Sequence, residues 1–163
     1  MAVLQDAGRI KVARLVATEP IYLAWGRGRP AWDAAGPEPE ETTHKGLISE
    51  IGRTVATSVQ YAVPDEAGRI VLPDRSRFSI SEAPTQWIYV RFDFSYDDAA
   101  GETVRELGVF LGGTVAAGLP AGQRYFPAAQ VTSPGDLYTL EHLAEPFKRA
   151  GNTLEGQDFI LPF

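Results

Sequence analysis

Hydrophobic positions along the chain recur more often with a period of two than with a helical period. The clearest case is residues 87–95, where Ile88, Val90, Phe92 and Phe94 fall on one side of an extended chain and Trp87, Tyr89, Arg91 and Asp93 on the other. Residues 104–111 alternate again and set Leu107, Val109 and Leu111 together, and the acidic loop between these segments predicts that the two strands pair antiparallel. Upstream, Val55, Thr57, Val59, Tyr61 and Val63 alternate with Ala56, Ser58, Gln60 and Ala62, which is a half-buried strand. A turn over residues 64–68 then leads into a short strand at residues 69–72, and a hairpin is the simplest arrangement of the two. The run Ile21-Tyr22-Leu23-Ala24-Trp25 is apolar throughout and is closed by the turn residues Gly26-Arg27-Gly28-Arg29-Pro30.

Helical patterning is confined to the N-terminus. Leu4, Ala7, Ile10 and Ala13 form a drifting stripe, broken by Gly8, that predicts a short helix within residues 1–18. Residues 33–43 contain Pro37 and Pro39 among glutamates and predict an exposed, mobile loop. Thr42 or Thr43 could then cap a turn of helix carrying Leu47, Ile48 and Ile51 and ended by Gly52. Residues 112–135 have little periodicity and predict a long loop anchored by Leu119, Tyr125 and Phe126. Residues 136–143 suit a helix through Leu137, Leu140 and Ala144 or a strand through Tyr138, Leu140 and His142. Pro146 and the β-rich tail over residues 159–163 favour a pair of strands in residues 136–163. The expected class is therefore mainly β (α+β): one antiparallel β-sandwich-like domain over residues 1–163, with a short N-terminal helix, central strands in residues 55–111 and long loops.

Composition supports this class and narrows the function. The 16 glycines and 12 prolines break the chain into short segments that long helices would not tolerate. At 163 residues a single core can form without staples, because a chain of this size buries roughly 70% of its extended surface. Cysteine is absent, which removes disulfides, thiolate metal sites and cysteine nucleophiles. The formal net charge of −6 gives no global attraction to phosphate backbones or anionic lipid, so neither nucleic acid nor membrane is an expected partner. No apolar run is long enough to span a bilayer, and the N-terminus lacks a secretory pattern, so synthesis in the cytoplasm is expected.

Each chemically suggestive group has a plainer reading. Gly26-Arg27-Gly28 lacks the third glycine of a dinucleotide fingerprint and the Gly-Lys-Ser/Thr of a P-loop, and reads as a turn. His44 and His142 are in no ligand-type spacing. Asp93, Asp97, Asp98, Glu102 and Glu106 do not match a calcium loop and read as a solvated loop and its flanks. Ser81 and Ser133 lack a nucleophile elbow. No catalytic residue, cofactor or metal is therefore expected. Trp25, Trp32 and Trp87 could form a stacking platform for sugars, although packing against loop backbone is the simpler use.

Four stretches carry a resemblance. They are Trp25-Gly26-x-Gly28-x-Pro30-x-Trp32-Asp33, Glu50-Ile51-Gly52-Arg53, Arg105-Glu106-Leu107-Gly108-Val109-Phe110-Leu111, and Leu119-Pro120-x-Gly122-Gln123-Arg124-Tyr125-Phe126. Together they resemble tail-associated structural proteins of tailed bacteriophages, and the third is similar to the Arg-Glu-Ile-Gly-Leu-Phe signature of the N-terminal attachment domain of phage tail fibres. The resemblance implies a non-enzymatic virion protein of the tail, in the baseplate or tail tip or as an adaptor for fibres. Its partners would be other tail proteins and further copies of itself. The chain has no room for a fibrous shaft or receptor-binding tip, which favours the baseplate over the fibre.

On that reading the candidate interface residues are Trp25, Arg27, Arg29, Trp32, Asp97, Asp98, Arg124 and Tyr125, drawn from the two Gly/Pro-rich regions and the acidic loop. The alternative is a carbohydrate-binding β domain built on the tryptophans, with a small hydrolase third.

Overall fold

The computed structural model describes residues 2–163. In chain order the elements are helix α1 (Asp6–Val16), strand β1 (Ile21–Gly26), the single helical turn α2 (Trp32–Ala35), β2 (Glu50–Val55), β3 (Ser58–Pro64), β4 (Ile70–Val71), β5 (Arg77–Ser81) and β6 (Trp87–Phe94), followed by β7 (Thr103–Leu111), β8 (Thr114–Val115), β9 (Tyr125–Pro127), a 3-10 turn (Ala128–Gln130), β10 (Val131–Ser133), β11 (Asp136–Lys148) and β12 (Glu155–Pro162). The chain is mainly β, with antiparallel sheets and a short N-terminal helix, as its patterning predicts.

Two compact units form. The first holds the N-terminal residues through Glu19, Ala56–Phe92 and Gly156–Phe163; the second holds Pro20–Val55 and Asp93–Glu155. In the first unit the sheet order is β12-β6-β3-β5-β4. Strand β6 alternates strictly between buried and half-buried positions, and Ile88, Val90 and Phe92 are fully buried, as a period of two requires. Helix α1 is tied to this unit by Ala13, which is fully buried, and by Arg9, whose Nη1 donates to the Phe163 carbonyl at 3.0 Å.

The second unit carries a sheet of order β11-β7-β1-β2-β9 and a small ribbon of β10 with β8. Strand β1 lies between β2 and β7 and is buried along its whole length because both of its faces are covered, Trp25 on one by Phe94 and Phe147 and Tyr22 and Ala24 on the other by Phe110 and Phe126, which explains an apolar run without alternation. Trp25 lies flat on Phe94, with ring centroids 3.5 Å apart, and meets Phe147 edge-on. Tyr22, Ala24, Phe110 and Phe126 form a second cluster, with Leu47, Leu119 and Leu137 packed on it.

Several local expectations are corrected. Strands β6 and β7 do not form a hairpin: they belong to different sheets, because both edges of β7 are taken by β1 and β11. Strands β3 and β4 do not pair with each other, since β5 lies between them. The turn before β4 packs there so tightly that a Cβ on Gly68 would collide with the Phe78 backbone. Residues 136–163 are strands, resolving the helix alternative, but β11 joins β7 and β12 joins β6 rather than each other. No helix follows Thr43: the amides of Ile48 and Ser49 are taken by the Glu106 carboxylate instead of by helical carbonyls, and Ile51 lies in β2. Residues 112–135 contain three short strands and a 3-10 turn within the expected loop.

Candidate docking surface

Glu106 sits in the middle of β7 with no solvent exposure. Its register neighbours are Gly26 on β1 and His142 on β11. An isolated carboxylate so placed would be very costly, and backbone amides offset the cost. Gly28 and Ile48 donate to it at 3.0 Å, and Ser49 at 3.4 Å. Both ends of the segment between β1 and β2 are thereby drawn onto one buried charge. Gly26 must be glycine for this to happen, because a Cβ there would collide with Glu106 Oε2. Gly28 adopts a φ of 54°, and a side chain on it would strike Trp32 and Arg105.

The preceding residue, Arg105, points the other way and holds the same segment. Its Nε and Nη2 donate to the two carboxylate oxygens of Asp33, each at 2.7 Å, while Nη1 donates to the Arg27 carbonyl at 3.0 Å. The guanidinium holds the Asp33 carboxyl below the usual range. Farther along, the His142 amide donates to Glu40 Oε1 at 2.8 Å, and this bond lowers the Glu40 pKa. His142 Nδ1 lies 2.7 Å from the Glu38 carbonyl. Residues 27–49 thus form a strap that is exposed along residues 33–43 yet held at seven residues, rather than the mobile loop that its prolines and glutamates predict. Trp32 tucks beneath it, 4.6 Å from the His142 ring. A cleft of about 220 Å³ between Glu40, Glu41, Thr42 and His44 on the strap and Leu137–Leu140 on β11 runs along its margin.

The expected interface residues divide by burial. Trp25 is fully buried and Trp32 nearly so, which leaves neither ring face open to a sugar. Arg27 is exposed and makes a bidentate pair with Glu102, its Nε 2.8 Å from Oε2, which lowers the Glu102 pKa. Arg29 is exposed and lies 3.5 Å from Glu38. Asp97 is exposed, while Asp98 is half-buried and accepts from the Ser95 amide; burial pushes its pKa up. Arg124 donates from Nη2 to the Val55 carbonyl at 3.0 Å. The Tyr125 phenol is pushed up to about 12, first by burial and then by the charges of Asp98, Glu102 and Glu50. Arg27, Asp98 and Tyr125 therefore share one electrostatic neighbourhood.

Sequence reading missed three charged residues that build this surface from within. Glu106 reads in the sequence as a flank of the acidic loop, because alternation sets it on the face opposite Leu107, Val109 and Leu111, and the signal of its burial lies in the register rather than the pattern. Arg53 is buried in β2, grips both oxygens of Glu50 at 2.7 and 2.8 Å, donates to the Pro134 carbonyl, and lies 4.2 Å above the Phe110 ring. Arg149 is likewise buried and donates to the Ser95 carbonyl at 2.7 Å.

The four stretches that carried the resemblance meet through these contacts. Glu106 binds Gly28, Arg105 binds Asp33, Arg53 pairs across to Phe126, and Gly52 packs so close to Tyr125 that a Cβ would collide with its hydroxyl. The family model described as "Baseplate wedge 3 tail fiber network component" matches residues 1–163. The chain belongs to this family. No curated protein sequence matches it. As a member of the baseplate wedge 3 family it is a structural component of the bacteriophage baseplate, and its place is in the tail of the virion. A tail fibre network brings such a component together with other phage tail proteins.

Proposed function

We propose that this baseplate component is a non-catalytic adaptor on which tail fibres or their connectors dock, with the strap over residues 27–49 as the docking surface. The observation that supports this reading is the buried Glu106 carboxylate, which spends its hydrogen bonds on holding an exposed segment in one shape. A surface fixed before contact binds without the entropy cost of ordering a loop. Rim charges supply register: Arg27 and Arg29 lie on the strap, and Arg27 shares its electrostatic neighbourhood with Asp98 and Tyr125, so cations and anions stand side by side along one rim with Asp97 and Arg124. The Arg29–Glu38 pair is exposed on both sides and is free to exchange partners at little cost.

Lys45 is a second exposed cation of the strap, and the test is an Arg29→Glu, Lys45→Glu double variant, which leaves every anchor of the strap intact. Virions assembled with it should lose fibres, or lose the protein itself, while its melting temperature stays that of the parent. Normal fibre occupancy with the variant incorporated would remove the strap from the interface.

A further inference from the structure

Helix α1 leaves one face without a partner. Only Ala13 of the helix is buried, whereas Leu15 and Val12 are 60% and 48% exposed, and Leu4 just before it is 62% exposed. Ala7, Ile10, Lys11, Arg14, Leu15 and Thr18 line a shallow groove along this face. These positions are spaced by three and four residues, the spacing at which side-chain rows on one helix receive a ridge from another. The opposite side is already in use, through Ala13 and the Arg9 bond to the Phe163 carbonyl.

The charges within the groove select the occupant. Lys11 and Arg14 lie one turn apart on the apolar stripe, and neither has a carboxylate partner among the described residues. A second copy of α1 would bring these cations against their own kind, which is costly once they are desolvated. A bilayer is disfavoured as well: the stripe carries no Trp, Phe or Tyr, and the chain bears a net −6. We infer that the α1 face receives an acidic amphipathic helix from another baseplate protein, with small or apolar residues against Ala7, Ile10 and Leu15 and two carboxylates three or four residues apart against Lys11 and Arg14. This inference rests on the chain's place in the baseplate but not on the docking role of the strap.

A photo-crosslinking residue in place of Leu15, in the full-length chain incorporated into virions, tests it. The crosslink should map to a helical segment of a different virion protein bearing Asp or Glu at three- or four-residue spacing. A crosslink to a second copy, to lipid or to a segment without such acids overturns the proposal, as does the absence of any crosslink in virions that contain the protein. In parallel, Lys11→Glu with Arg14→Glu should reduce incorporation at least tenfold with an unchanged melting temperature, whereas Lys11→Arg with Arg14→Lys should retain it. Equal incorporation of the two pairs contradicts the inference. In virions that retain the strap variant but lack fibres, crosslinking from position 15 separates the two readings, because it should persist there.

Discussion

Arg105 and Asp33 meet through two parallel hydrogen bonds of 2.7 Å, while the next residue, Glu106, receives three backbone amides. Consecutive side chains on one strand therefore hold one exposed strap from two sides, and neither function could be exchanged between them. Arg supplies a planar fork for a carboxylate, and Glu supplies acceptors for amides.

The first expectation concerns Glu106. Replacing it with Ala leaves the buried amide of Gly28 and the part-buried amides of Ile48 and Ser49 without their acceptor, at about 1–3 kcal/mol for a buried unmet group and less where water can reach it. Glu106→Ala should thus destabilise the protein by about 2–4 kcal/mol in urea unfolding, and amide exchange should accelerate at residues 28, 48 and 49. Glu106→Gln keeps one acceptor and should fall between Ala and the parent.

Acid should release the strap before it unfolds the chain. Asp33, Glu40 and Glu102 have pKa values lowered in the folded state, by the Arg105 bond, the His142 amide and the Arg27 bond respectively. A lowered folded value contributes stability that is present above the unfolded pKa and lost as pH falls through the folded one. Protection of residues 33–45 against exchange or proteolysis should be full at pH 6 and should decline below about pH 4. Asp98 works in the opposite direction, since burial raises its pKa, so Asp98→Asn should not add to this acid sensitivity.

Much of this arrangement was legible in the sequence, and the limits have physical causes. The alternation in β6 and the unbroken run in β1 announce a half-buried and a central strand, because the side-chain period reports how many faces are covered. Pairing was not legible, since alternation says nothing about which edge a strand meets; β6 and β7 are neighbours in sequence and lie in separate sheets. Charge misled the site reading most. Glu106 and Arg53 look like surface residues by composition, and only the register that sets Glu106 opposite Gly26 shows that β7 passes it through the interior. In the sequence Gly26 reads as a turn residue and Gly52 as the end of a short helix, yet both are needed for close approach of Glu106 and Tyr125.

Tyr125 gives an alkaline signature. Its phenol, held at about 12 in the folded state against an ordinary 10.0, keeps its proton longer than an unfolded tyrosine. A raised folded value contributes stability that is complete below the unfolded pKa and disappears as pH rises through the folded one. Stability should decline between pH 10 and 12, and ultraviolet titration at the phenolate band should show a late component to which Tyr89 and Tyr138, also raised by burial, contribute beside Tyr125. In Tyr125→Phe that late component should shrink by one tyrosine and the alkaline decline should be shallower.

Arg53 should be among the least replaceable residues. Its guanidinium satisfies Glu50, caps the Pro134 carbonyl and covers Phe110 in a fully buried position. Removing one partner of such a buried pair costs about 3–5 kcal/mol. Arg53→Ala should show that loss in thermal or chemical denaturation, and Arg53→Lys should recover only part of it because an ammonium cannot bond both Glu50 oxygens in the same plane.

The central claim is that the strap, held in shape from within, is the surface this baseplate component offers to the fibre network. Hydrogen exchange on residues 27–49, compared between the free protein and the protein in purified virions, addresses it most directly. Slower exchange of the exposed amides of residues 33–43 in the virion, with the amides of residues 28, 48 and 49 already slow in the free protein, is the result this account requires. Exchange of residues 33–43 that is equally fast in both states would contradict it.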